Sequence, residues 1–95
     1  AKVSDITVGK AIQIQDAQGA PAYIFRTKAG VFAYSAICTH QGCTVNFNSG
    51  NSHFQCPCHG AEFDPSNGAK VLAGPAPSPL AKIKISVQGN NIFLA

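Results

Sequence analysis

Punctuation constrains this chain more than any other feature: short runs with a period near two, each stopped within a few residues by Gly, Pro, Asn, Asp or Ser. Ala11–Gln15 reads as a strand ended by Asp16-Ala17-Gln18-Gly19, and Ala22–Thr27 as a second ended by Lys28-Ala29-Gly30. Val31–Ile37 is a third, rich in β-branched and aromatic residues. Val45–Phe47 and His53–Gln55 flank Asn48-Ser49-Gly50-Asn51-Ser52, a hairpin loop. Ala61–Asp64 and Ala69–Leu72 flank the turn Pro65-Ser66-Asn67-Gly68. Leu80–Val87 alternates, with Ile83, Ile85 and Val87 on one face and Lys82, Lys84 and Ser86 on the other, before Gly89-Asn90-Asn91 turns the chain into Ile92–Leu94. Nothing keeps a helical period, and Ser4–Val8 is at most a short turn. The pattern predicts an all-β domain of small antiparallel sheets in a sandwich or barrel.

The 95 residues make a single domain, 1–95, too short to bury a thick core, and such domains often add a disulfide or a metal. Four cysteines would serve either device. The formal charge of +3 comes from scattered residues, Lys2, Lys10, Arg26, Lys28, Lys70, Lys82 and Lys84, with no basic run interleaved with aromatics, so nucleic-acid binding has no footprint here. The most apolar stretch, Val71–Ala81, is broken by Pro75, Pro77 and Pro79 and cannot span a bilayer as a helix. The absence of methionine marks Ala1 as the start of a processed or partial chain, from which an upstream anchor or export signal could be missing.

Residues 38 to 72 are richer in Cys, His and turns than the ends, and read as a site-bearing subdomain inserted between strands of a base sheet. Within it, Cys38-Thr39-His40 is followed by Cys56-Pro57-Cys58-His59, each pair in a short loop beside a glycine, Gly42 or Gly60. Two such loops facing each other can clamp one metal centre. Three readings compete. Zinc takes thiolate and imidazole tetrahedrally, but here each loop mixes one Cys with one His, which is not the usual finger order. A plain disulfide framework leaves His40 and His59 unexplained. A [2Fe–2S] centre in which two histidines replace two cysteines on one iron uses one Cys and one His from each loop, leaving Cys43 and Cys58 over.

Cys38-Thr39-His40-Gln41-Gly42-Cys43 and Cys56-Pro57-Cys58-His59-Gly60 resemble the two cluster-binding boxes of Rieske proteins, specifically the quinol-oxidising branch of cytochrome bc1 and b6f complexes and their soluble relatives. The match is specific over 38 to 64, and Gly74-Pro75-Ala76-Pro77 with Leu80 resembles the family's proline loop, about 74 to 79, which covers the cluster. The resemblance implies the Rieske fold, with Cys38 and Cys56 on one iron, His40 and His59 on the other, and a Cys43–Cys58 disulfide tying the loops together. A structural disulfide in turn implies an oxidising, extracytoplasmic location. By the same resemblance His59 meets a quinol, of menaquinol-like kind. The electron then passes to a cytochrome, and the isolated domain is a carrier rather than an enzyme. The rival readings are the small Rieske subunit of a molybdoenzyme such as arsenite oxidase, a free-standing soluble carrier, and a structural zinc module.

With two thiolates and neutral imidazoles an oxidised Rieske centre is uncharged, and one electron makes it −1. This explains potentials of about −150 to +300 mV against about −400 mV for plant-type ferredoxins. Among the remaining residues, His53 reads as a strand or surface histidine, Phe54 and Phe63 as core or shielding residues, Pro57 as a fixer of the tight loop, and Glu62 and Asp64 as a solvent-facing pair without a catalytic role.

The quinol-oxidising members commonly place a serine right after His-Gly and a tyrosine two residues on, whose hydroxyls donate to a cluster sulfide and a ligand thiolate. Ala61 and Phe63 stand there and offer no hydroxyl. A hydrogen bond to a charged group is worth about 1.5–3 kcal/mol, or at most about 65–130 mV for one electron. The potential is therefore expected to lie below that of the high-potential members yet above oxygenase-type ferredoxins. Ala61→Ser with Phe63→Tyr is expected to raise it in a redox titration, and no rise would remove this account of the tuning.

Overall fold

The computed structural model describes residues 2–37, 43–57, 60–74 and 78–94. Ten strands follow in chain order: β1 (Ala11–Gln15), β2 (Pro21–Thr27), β3 (Gly30–Ser35), β4 (Asn46–Asn48), β5 (His53–Gln55), β6 (Glu62–Asp64), β7 (Lys70–Ala73), β8 (Lys82–Ile83), β9 (Ile85–Gln88) and β10 (Asn91–Leu94). They form a base sheet ordered β1-β2-β3-β8, a second sheet ordered β4-β5-β6-β7, and the hairpin β9–β10, with every neighbouring pair antiparallel. The only helical turns among the described residues are 3₁₀, at Val3–Asp5 and Pro65–Asn67. The expectation of an all-β chain in small antiparallel sheets holds.

The base sheet is the middle layer. Its strand β2 is buried continuously from Ala22 to Phe25, as expected of a strand covered on both faces. One face presents the cross-strand pair Tyr23 and Tyr34 to the second sheet, where they join Ala36, Val45, Phe54, Cys56, Ala61, Phe63, Ala69 and Leu80 in one core. The other face presents Ile24 and Ala33 to Ile6 and to Ile92 of the hairpin, with Ile83 and Ile85 packed alongside. Phe54 is fully buried between the layers, its ring 5.2 Å from Tyr23, 6.1 Å from Tyr34 and 5.6 Å from Phe47. Burying such a ring contributes about 1.5–3 kcal/mol, and each tilted aromatic pair adds about 0.5–1.5 kcal/mol.

β3 and β8 pair with each other, so the second sheet lies within a segment that leaves the base sheet after Ser35 and returns at Lys82. Polar ties hold it in place. Tyr34 donates its buried hydroxyl to the Pro65 carbonyl at 3.2 Å. The β4–β5 loop reaches back to the chain before β1: Ser52 donates to the Gly9 carbonyl at 2.9 Å, and Lys10 Nζ donates to the Ser49 carbonyl at 2.9 Å.

Two expected strands end differently. The third stops at Ser35: the Ala36 amide still bonds the Pro21 carbonyl in the β2–β3 register, but the Ala36 carbonyl accepts from Val45 and Ile37 bridges to Thr44. Leu80–Val87 is not one strand. It breaks at Lys84, β8 pairing with β3 in the base sheet and β9 with β10 in the hairpin. Ile83 and Ile85 both reach the second core, from different sheets, while Val87 on the outer part of the hairpin is 48% exposed. Alternation records which side chains are buried, not which strand they pair with.

Burial and the nearby Asp64 carboxylate push the Tyr34 phenol above the ordinary tyrosine range. A raised folded-state value keeps its stabilisation intact below about pH 10 and loses it as pH climbs beyond. Tyr34→Phe leaves the Pro65 carbonyl without its donor and is expected to cost about 1–2 kcal/mol in urea unfolding near neutral pH. The same variant is expected to flatten the alkaline loss of stability; an unchanged alkaline limb would assign it elsewhere.

Candidate metal centre

The two boxes hang from closed backbone bases. For the first, Ile37 bridges to Thr44 and the Val45 amide donates to the Ala36 carbonyl at 2.7 Å, so the chain is paired on both sides of the box. For the second, the chain leaves β5 at Cys56, whose amide donates to the Ala61 carbonyl at 2.7 Å, while the Gly60 amide returns to the Cys56 carbonyl at 3.0 Å. Gly60 turns the corner at φ 73°, a left-handed conformation that glycine adopts without strain.

Cys56 is a free thiol, 3% exposed, packed in the core between the two sheets. Its sulfur has no hydrogen-bond partner among the described residues, and a buried sulfur left unpaired in this way fits a metal ligand. Cys43 packs half-buried against the same core and is disulfide-bonded. Cys38, His40, Cys58 and His59 lie outside the described residues, as do 75–77 of the proline loop.

Ala61 and Phe63 are both fully buried beside Cys56 in this core, so the two positions expected to tune the potential are lined with hydrocarbon. Pro57 is exposed in the turn. Phe54 and Phe63 sit opposite each other on β5 and β6 as core residues. Asp64 has a structural task beyond that of a solvent-facing acid: its carboxylate accepts the Ser66 amide at 3.0 Å, capping the 3₁₀ turn that Pro65 starts and Gly68 ends. The Asp-Pro-Ser-Asn-Gly string carries that signal.

A polar ladder crosses the outer face of the second sheet. Asn48 donates to Gln55 at 3.2 Å, and Glu62 Oε1 accepts from Gln55 and from His53 Nδ1, each at 3.3 Å. His53 is therefore engaged with a carboxylate on its strand neighbour, in keeping with a strand histidine. Asn46, Gln55 and Glu62, together with Cys56, Pro57 and Gly60, line a cavity of about 370 Å³ beside the second box.

The chain is an iron–sulfur domain: it belongs to the Rieske [2Fe–2S] domain family, whose model matches residues 1–84. Its cofactor is a single Rieske-type [2Fe–2S] cluster. Among its relatives, the cytochrome b6-f complex iron-sulfur subunit of Synechococcus sp. (strain CC9605) is 44% identical over 85 residues, covering 86% of this chain and 47% of that protein. The same subunit of Synechococcus elongatus is 36% identical over 96 residues, covering 98% and 52%. The chain thus spans about half the length of the curated relatives it matches. The plasma membrane Rieske protein PetC3 of Synechocystis PCC 6803 superposes with a TM-score of 0.76 at 37% identity, over 90% of this chain and 85% of that one. A structure of a hyperthermophilic respiratory Complex III matches with a TM-score of 0.82 at 28% identity, over 98% of this chain and 71% of that one.

The hydrogen bonds from Gln55 and then His53 hold the Glu62 carboxyl below the ordinary glutamate range. A depressed folded-state value contributes stability above the ordinary range and loses it as pH falls through the folded value. Glu62→Gln is expected to remove part of the acid-side slope in a urea-unfolding series from neutral to acidic pH, with little change at neutrality because the site is open to solvent. An identical slope would place the acid sensitivity on other groups.

Proposed function

We propose that this chain is the cluster-bearing domain of a bc-type electron-transfer complex, moving one electron from a quinol, menaquinol-like, to a cytochrome. The observation that carries the proposal is Cys56, a buried thiol with no partner among the described residues, at a glycine-closed turn within this fold. Cys38 and Cys56 hold one iron and His40 and His59 the other, with Cys43 paired to Cys58 across the loops; the disulfide-bonded state of Cys43 and the free state of Cys56 support this division. The cluster, when bound, supplies a one-electron couple in the range of about −150 to +300 mV.

The chain's own residues set the terms of transfer. Each histidine ligand keeps one ring nitrogen for a proton, whose hold weakens when nearby charge becomes more positive. At His59 that nitrogen would face the quinol, so that electron and proton leave the donor together. Backbone hydrogen bonds join the chain on either side of both boxes. The names of the b6-f and Complex III relatives support a cytochrome partner, and the plasma membrane relative supports membrane association. An extracytoplasmic face suits the disulfide.

Purified protein is expected to be coloured, to contain iron and sulfide in equal amounts, and to give a rhombic EPR signal on reduction. Cys56→Ser is expected to abolish that signal, whereas Cys43→Ser is expected to retain it with faster loss of the cluster. A colourless, EPR-silent reduced sample carrying stoichiometric zinc would overturn the proposal.

A further inference from the structure

The register of β6 and β7 leads to a contact that no ligand motif contains. Glu62 pairs with Ala73 and Phe63 with Val71, so Leu72 is an extra residue without a partner, a bulge on the strand that leads to the proline loop. Continuing the ladder by one places Gly74 opposite Ala61, the residue immediately after the second box. The approach there is closer than any side chain allows: a Cβ on Gly74 would stand 2.5 Å from Ala61 Cα and 2.8 Å from Ala61 N. Gly74 is also at φ 87°. Both colliding atoms are backbone, and Ala61 is fully buried, with its carbonyl held by the Cys56 amide. Neither side of the contact can yield cheaply.

We infer that Gly74 is a positioning residue, lying directly against Ala61 and so holding the Cys56–Ala61 backbone bond that closes the base of the second box. The inference rests on the reading of that turn as the second ligand box. Gly89 provides the internal control: it is also left-handed, at φ 61°, but a Cβ added there would meet nothing within 4 Å. Gly89→Ala meets the backbone penalty alone, and Gly74→Ala meets the penalty and the collision.

The test uses the cluster-loaded protein. Gly74→Ala is expected to bleach about tenfold faster, or more, in the presence of an iron chelator, because the local opening that admits it becomes easier. Its midpoint potential and EPR line shape are expected to move, while Gly89→Ala keeps both and bleaches at the wild-type rate. Ala61→Gly inserts nothing into the fold and removes the methyl group under Gly74; it is expected to bleach several-fold faster with a shifted potential. Unchanged potential and line shape in Gly74→Ala and Ala61→Gly would overturn the inference even if both lose thermal stability. Wild-type protein that assembles no iron–sulfur cluster would instead overturn the proposed function.

Discussion

The fold turns on the burial of Phe54 between Tyr23 and Tyr34. Those three rings join the base sheet to the second sheet, and the same core contains Cys56, Ala61 and Phe63. The second sheet has strands of only three or four residues, too short to be stable alone. It is a sheet because it lies on the tyrosines. Cys56 follows β5 by one residue, so the packing that orders Phe54 also fixes where the Cys56 side chain leaves the backbone. Stability and the placement of Cys56 are one set of contacts here.

The base sheet plays the opposite part. It is covered on both faces, by the second sheet and by the β9–β10 hairpin, and its ends carry the crossings. The backbone bonds at Ala36–Val45 and Cys56–Ala61 close each loop at its root. The Tyr34 hydroxyl and the β4–β5 loop contacts to Gly9 and Lys10 add directional ties that apolar packing cannot supply.

Much of this is legible in the sequence because it is local. β1 and β5 have the expected bounds, since each is delimited by turn residues or a box on both sides. The family is legible from the two boxes, because they are short local motifs. What is not legible depends on pairing between distant residues. The break at Lys84 follows from β8 and β9 belonging to different sheets, and Ile83, Ile85 and Val87 read the same on one strand or two. The Gly74–Ala61 contact depends on a bulge at Leu72, and a bulge has no signature in alternating apolar residues. The cap formed by Asp64 is visible in the residues that follow it, yet period two alone reads it as half of an exposed acid pair.

The surroundings of Cys56 also bear on the sign of the electron's cost. Ala61 and Phe63 offer no hydroxyl, and both are fully buried, as is Phe54 opposite Phe63. Two separate effects follow. Without donors, the extra negative charge of the reduced state is not met by hydrogen bonds. With hydrocarbon in their place, that charge sits in a medium of low polarisability, which disfavours the charged state over the neutral one. Both effects act in the same direction, toward a lower potential. In the function proposed above, a lower potential would match a donor that gives up its electrons more readily, which is the physical reason for proposing a menaquinol-like rather than a high-potential quinol.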